Sequence, residues 1–252
     1  MKAHRGGSHL ATNPLLVAYF PLGDPDTPIE WLDVYAESGV DFVEFGWPAR
    51  DPYLDGPDVR TSMARASPSA ALAALTHAKR RLGARAAPPR SLLMTYAEAL
   101  HPGLDNDELF CALDAVLVVG SPANPLRMAM EAGARRTGAA ICAFLPLPLR
   151  ADDIGAARRA DGYAMLQAAP GVTGPRQALD PSNGERIALL RREGVAAPVV
   201  LGFGVSQAAH ARAAVKWGAD GIVVGSAALR AARAGRAELG ALLKELRGGL
   251  DG

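Results

Sequence analysis

The sequence predicts a closed (β/α)8 (TIM) barrel in a single domain spanning residues 1–252, and three observations predict it. Apolar runs of strand length alternate about eight times with segments of helical period, without a long compositional break or charged linker. At 252 residues and 49% hydrophobic content, the chain fits one eight-fold barrel better than two ordinary domains. Glycines recur where the late strands hand over to helices, as in the anion sites of such barrels. An open doubly wound sheet is the alternative, but nothing after the first strand resembles its dinucleotide glycine fingerprint.

Residues 15–20 open the series as an apolar strand. The turn Gly23-Asp24-Pro25-Asp26 then leads to a helix over 28–38, with Ile29, Leu32, Val34 and Tyr35 on its buried side. Residues 42–46 form the second strand. A Ser-Pro start and alanine-rich periodicity predict a helix over 67–82, closed by Lys79, Arg80 and Arg81 where positive charge suits a helix C-terminus. The third strand is 91–96, followed by a short helix over 105–113 and a fourth strand over 115–119. The Ser121-Pro122 turn introduces a basic-ended helix over 125–136. Strand 139–145, helix 152–159 and strand 163–167 come next, before a glycine- and proline-rich excursion at 170–174. Helix 186–192, strand 198–203, helix 207–217, strand 222–224 and helix 237–246 complete the alternation.

Charge and cysteine content exclude several classes of function. A net charge of +1, from 27 basic and 26 acidic residues, leaves no electrostatic bias toward nucleic acid or a membrane surface. Cys111 and Cys142 lack metal-type spacing, so neither a disulfide scaffold nor a metal site is expected. Residues 1–13 read as a flexible or irregular polar segment without the apolar core of a signal peptide, and no later apolar run has the length of a membrane span. A cytoplasmic location is the expectation. The five histidines are scattered, and none is assigned to chemistry.

The chemistry is expected at Glu44. In Phe42-Val43-Glu44-Phe45-Gly46-Trp47-Pro48 the strand alternation puts Phe42, Glu44 and Gly46 on one face and Val43, Phe45 and Trp47 on the other. A glutamate set in an apolar wall is pushed toward its protonated form and can donate that proton. The loop Asp51-Pro52-Tyr53-Leu54-Asp55-Gly56-Pro57 supplies a second carboxyl, Asp55, expected nearer water and ionised, so that acid and base roles divide between the two. A structural glutamate beside an ordinary Asp-Gly-Pro turn is the competing reading. The turns Gly202-Phe203-Gly204 and Gly225-Ser226 let backbone N–H groups approach an anion, with Ser226 adding a hydroxyl. Gly171-Val172-Thr173-Gly174 is placed to act as a lid.

These motifs, together with Pro21-Leu22-Gly23-Asp24-Pro25, run in order along nearly the whole chain, and in that order they resemble the alpha chains of tryptophan synthase. The resemblance implies cleavage of indole-3-glycerol phosphate to indole and glyceraldehyde 3-phosphate, without metal or organic cofactor. It implies that Glu44 and Asp55 are the catalytic pair and that Gly174, Gly204, Gly225 and Ser226 bind the phosphate. Tyr19, Phe42, Met94, Tyr96, Tyr163 and Thr173 are the candidates for substrate contact. A tryptophan synthase beta chain is the implied partner.

The chain departs from the family pattern at four places. Met165 and Ala169 stand where the family carries a tyrosine and an arginine, Gly120 where it carries an aspartate, and Glu98 where it carries an asparagine. Gly120, Glu98 and Met165 bring beta-chain docking into question. A stand-alone indole-releasing lyase is therefore one alternative, a silent barrel homologue that binds a ligand or partner a second, and a different phosphate-binding barrel enzyme a third.

Overall fold

In the structure, a computed structural model describing residues 13–100, 109–111, 113–174 and 176–252, eight parallel strands close in sequence order. The first half comprises β1 (Leu15–Pro21), α1 (Leu32–Glu37), β2 (Phe42–Gly46), α2 (Pro57–Arg65), α3 (Pro68–Gly83), β3 (Arg90–Tyr96), β4 (Ala115–Val119) and α4 (Pro125–Thr137). The second comprises β5 (Ala140–Leu145), α5 (Ala151–Arg158), β6 (Ala164–Gln167), α6 (Asn183–Arg192), β7 (Val199–Gly202), α7 (Ala208–Lys216), β8 (Gly221–Val224), α8 (Ser226–Ala234) and α9 (Arg236–Asp251). The expectations for residues 1–12, and most of the helix expected over 105–113, lie outside the described residues.

Local chemistry explains where the helices begin. Asn124 caps α4 by accepting from the N–H groups of Leu126 (2.8 Å) and Arg127 (3.4 Å), with Pro125 at the first helical position. Ser67 accepts from Ala70 N–H before Pro68 in the same manner. Three differences from the sequence reading have physical causes. The helix expected over 28–38 begins as a 3-10 turn, Ile29–Trp31, directly after Pro28. Helix α2 fills a stretch read as loop, because Pro57 supplies a helix start directly behind the Asp-Gly turn. Helix α8 occupies a stretch for which the sequence shows only the Gly225-Ser226 turn, and Gly235, with φ 147°, separates it from α9.

Strand alternation sorts the core into two layers. Val43, Phe45 and Trp47 face outward into the cluster between sheet and helices, whereas Val17, Tyr19, Phe42, Leu92, Met94, Leu117 and Phe144 fill the barrel interior. Interior register places Tyr19, Glu44 and Leu92 side by side, with Gly46, Met94 and Leu117 one step nearer the C-terminal rim.

At the opposite rim one device repeats four times. Asp41, Asp114, Asp161 and Asp220, each shortly before an even-numbered strand, accept an N–H from the first two residues of the preceding odd strand: Leu16 (2.7 Å), Ser91 (2.8 Å), Ile141 (2.7 Å) and Val199 (2.6 Å). Asp114 also accepts from the Ser91 hydroxyl at 2.8 Å. Asp114→Ala leaves these donors without their acceptor and is expected to cost about 1–3 kcal/mol, read as a lower urea midpoint at unchanged slope. An unchanged midpoint would show that solvent replaces the carboxylate without loss.

Candidate active site

The C-terminal rim opens into a cavity of about 640 Å³ lined by residues from all eight βα units. Glu44, Asp55, Tyr19, Met94, Tyr96, Thr173, Gly174, Gly204, Gly225 and Ser226 all line it. Phe42 and Tyr163 do not. They lie beneath it, edge to face at 5.8 Å, with the Arg90 guanidinium 4.1 Å from the centre of the Phe42 ring.

Glu44 is 3% exposed, and its one hydrogen-bond partner among the described residues is Tyr163, whose hydroxyl donates to Oε2 at 3.2 Å. Burial pushes the carboxyl up to about 8; the charge of Asp55 adds to the effect and the Tyr163 hydrogen bond opposes it. Asp55 corrects the sequence reading, which put it nearer water: it is 5% exposed, and burial raises it to about 6. The cause is its cover. Tyr96 donates to Oδ2 at 2.6 Å, and Thr173, reaching across from the loop after β6, donates to Oδ1 at 3.3 Å. Both hydrogen bonds favour the ionised form and hold the rise to this value.

The β6 loop meets the β2 loop through further contacts. Gly56 N–H donates to the Thr173 hydroxyl at 2.8 Å, and Thr173 N–H donates to Leu54 O at 3.0 Å. A Cβ at Gly56 would stand 2.0 Å from the Thr173 carbonyl oxygen, so only glycine admits this approach. Behind them Asp24, 4% exposed, accepts from Arg65 Nε (2.8 Å) and Nη2 (2.6 Å) and from Ser62, anchoring α2 to the β1 loop.

The β6, β7 and β8 side is built from glycines and backbone. Gly174 and Gly204 have φ of 156° and 117°, and Phe203, at 68°, is the non-glycine residue with positive φ among those described. Ser226 opens α8, and its buried hydroxyl has no hydrogen-bond partner among the described residues. Among them no lysine or arginine lines the cavity.

Sequence reasoning missed the apolar wall of Leu54, Val59, Phe144, Phe203 and Val205. Strand parity could have found Phe144, which is inward-facing on β5, but the loop residues carry no signal of their own. Of the residues departing from the family pattern, Met165 lines the wall and Ala169 is buried. The Gly120 carbonyl accepts from Arg127 at 2.7 Å, and Glu98 accepts from the Asn124 side chain at 2.8 Å.

A buried acid with a raised pKa weakens the fold as pH rises. Between its ordinary 4.5 and about 8, Glu44 keeps a proton in the native state that the unfolded chain has released, so its contribution falls across that window. Glu44→Gln is expected to be more stable than the parent at pH 9 by on the order of 3–5 kcal/mol, the gap closing toward pH 5. Urea unfolding at both pH values measures it; a gap independent of pH would contradict a protonated buried acid.

The family model for the tryptophan synthase alpha chain matches residues 9–246. The alpha chain of Geobacter sulfurreducens is 36% identical over 225 residues, covering 85% of this chain and 83% of that protein. The alpha chain of Archaeoglobus fulgidus is 32% identical over 222 residues, covering 85% and 88%. Among solved structures, tryptophan synthase of Mycobacterium tuberculosis superposes with a TM-score of 0.78 at 25% identity, covering 94% of this chain and 93% of that one. A protein of Aquifex aeolicus shares the fold with a TM-score of 0.80 at 24% identity, over the same shares.

Proposed function

The chain belongs to the tryptophan synthase alpha chain family, and from that membership we propose that it is the lyase cleaving indole-3-glycerol phosphate, with Glu44 as proton donor and Asp55 as partner of the ring nitrogen. One observation carries the assignment of roles: two buried carboxyls line one cavity, among the described residues Glu44 with a single hydrogen bond from Tyr163 and Asp55 with two, from Tyr96 and Thr173, so that burial raises Glu44 further, to about 8, than Asp55, to about 6. Near pH 7 the first holds its proton while the second is ionised.

The reaction needs both states. Glu44 gives its proton to C3 of the indole, which turns the ring into a cation with its charge centred on nitrogen. The Asp55 carboxylate accepts the hydrogen bond of that N–H and stabilises the charge. Glu44, now a carboxylate, takes the proton from the hydroxyl on the carbon attached to C3. That C–O–H becomes an aldehyde, the C–C bond breaks, and its electron pair returns to the ring, releasing indole and glyceraldehyde 3-phosphate. Tyr96 and Thr173 orient Asp55 for its task. Gly174, Gly204, Gly225 and Ser226 take the phosphate with backbone N–H groups and the N-terminus of α8, which suits a cavity whose described lining holds no lysine or arginine.

Named alpha chains among the relatives favour this reading over a stand-alone lyase or a silent homologue. It carries with it a tryptophan synthase beta chain as partner and a cytoplasmic setting; among the described residues no helix is long and apolar enough to cross a membrane.

Incubation with indole-3-glycerol phosphate is expected to release indole and glyceraldehyde 3-phosphate in equal amounts. The profile of kcat/KM is expected to rise through about pH 6, as Asp55 ionises, and to fall through about pH 8, as Glu44 loses its proton, the two values belonging to the coupled pair. Absence of either product, or a profile flat across this range, would remove the proposed function or its mechanism respectively.

A further inference from the structure

One buried hydroxyl at the cavity wall has no hydrogen-bond partner among the described residues. Tyr19 is 3% exposed and lines the cavity, and it is the β1 partner of Glu44. Its Cβ lies 3.9 Å from where a Cβ on Gly225 would stand, beside the β8 turn, and its Oη rests over Gly46, where a Cβ would come within 2.1 Å. The bare backbone of Gly46 is therefore the slot into which the phenol is laid. Tyr35, Tyr96 and Tyr163 each donate to an acceptor, at 2.8, 2.6 and 3.2 Å. Tyr19 Oη has no partner among the described residues. A buried hydroxyl left unpaired is unfavourable, and a phenylalanine would occupy the same slot without that penalty.

The position of Oη limits what can satisfy it. It sits in the layer of Gly46, two residues beyond Glu44 toward the rim, at the far end of the ring from Gly225. On the proposed function, on which this inference rests, the phosphate occupies the Gly225 side and the indole ring the Asp55 side. The ring N–H is committed to Asp55, so the remaining ring edge is the carbocycle, which has no polar atom when unsubstituted. Oη is also covered, and the residue it rests over, Gly46, is paired in register with Met94 of the cavity wall. An unbranched thioether yields where a branched side chain would not.

We infer that Tyr19 is a specificity-determining residue whose hydroxyl bonds an oxygen substituent on the carbocycle of the substrate, making a ring-hydroxylated indole-3-glycerol phosphate the preferred substrate class. The hydroxyl pairs with that oxygen once Met94 shifts aside. A site that hydrogen-bonds a substrate hydroxyl discriminates against the analogue lacking it, because its own polar group is then left unpaired.

The test compares kcat/KM for indole-3-glycerol phosphate and its 4-, 5-, 6- and 7-hydroxy derivatives, all read by coupled oxidation of released glyceraldehyde 3-phosphate. The intact protein is expected to prefer one hydroxylated substrate by at least about tenfold. In Tyr19→Phe that ratio is expected to collapse to near one. Calorimetric binding of the matching hydroxyindole against indole to the unaltered protein is expected to show the same preference, with no variant involved. A ratio near one in the intact protein, a preference that survives in Tyr19→Phe, or a loss shared equally by all five substrates overturns the inference while leaving the lyase reading in place. Release from none of the five overturns both.

Discussion

Glu44→Gln is expected to lower kcat for indole release by about 10³–10⁴-fold, with KM little changed. Glutamine matches the shape of the protonated acid and is neutral, as Glu44 is near pH 7, so the apolar interior accepts it without rearrangement and the contact to Tyr163 can persist. The amide cannot deliver a proton to carbon. The loss therefore falls on the chemical step alone. Steady-state kinetics at pH 7, with single-turnover measurement to isolate the chemistry, decide the matter. Retention of more than about a tenth of the parental kcat would take proton donation away from Glu44.

Asp55→Asn is expected to reduce kcat/KM by about 10²–10³-fold and to reshape the pH profile. Both carboxylate oxygens accept hydrogen bonds, from Tyr96 and Thr173, and an asparagine must turn its NH2 group toward one of these donors. More importantly, the negative charge facing the ring nitrogen disappears. The limb near pH 6 should vanish with the group that titrates there. The limb near pH 8 should move to lower pH, since the charge of Asp55 helps raise Glu44. A variant with the parental profile would show that Asp55 controls neither ionisation.

The course of the barrel was legible because buried parallel strands are short continuous apolar runs, and all eight were found within one or two residues of their observed limits. Helices α2 and α8 were not. Both follow directly on loops whose residues carried a stronger chemical signal, the acidic Asp55 loop and the Gly225-Ser226 turn, and α2 is too polar to announce an apolar stripe over nine residues. Glu44 stood out because it is the one charged side chain in an apolar strand buried on both faces. The burial of Asp55 could not be read, because it depends on Tyr96 and Thr173, 41 and 118 residues away in sequence. The same holds for the stranded hydroxyl of Tyr19, which is a statement about what surrounds it and not about the residue.

The quartet of aspartates beneath the barrel has a consequence for how such a molecule can change. Each stitches two neighbouring strands at the base, so the framework is pinned in successive couples on the side remote from Glu44. Substitutions around the mouth, such as those represented by Met165 and Gly120, need not loosen these stitches. Innovation and endurance occupy separate floors of the same building, and the upper one can be refurnished while the foundations stay put.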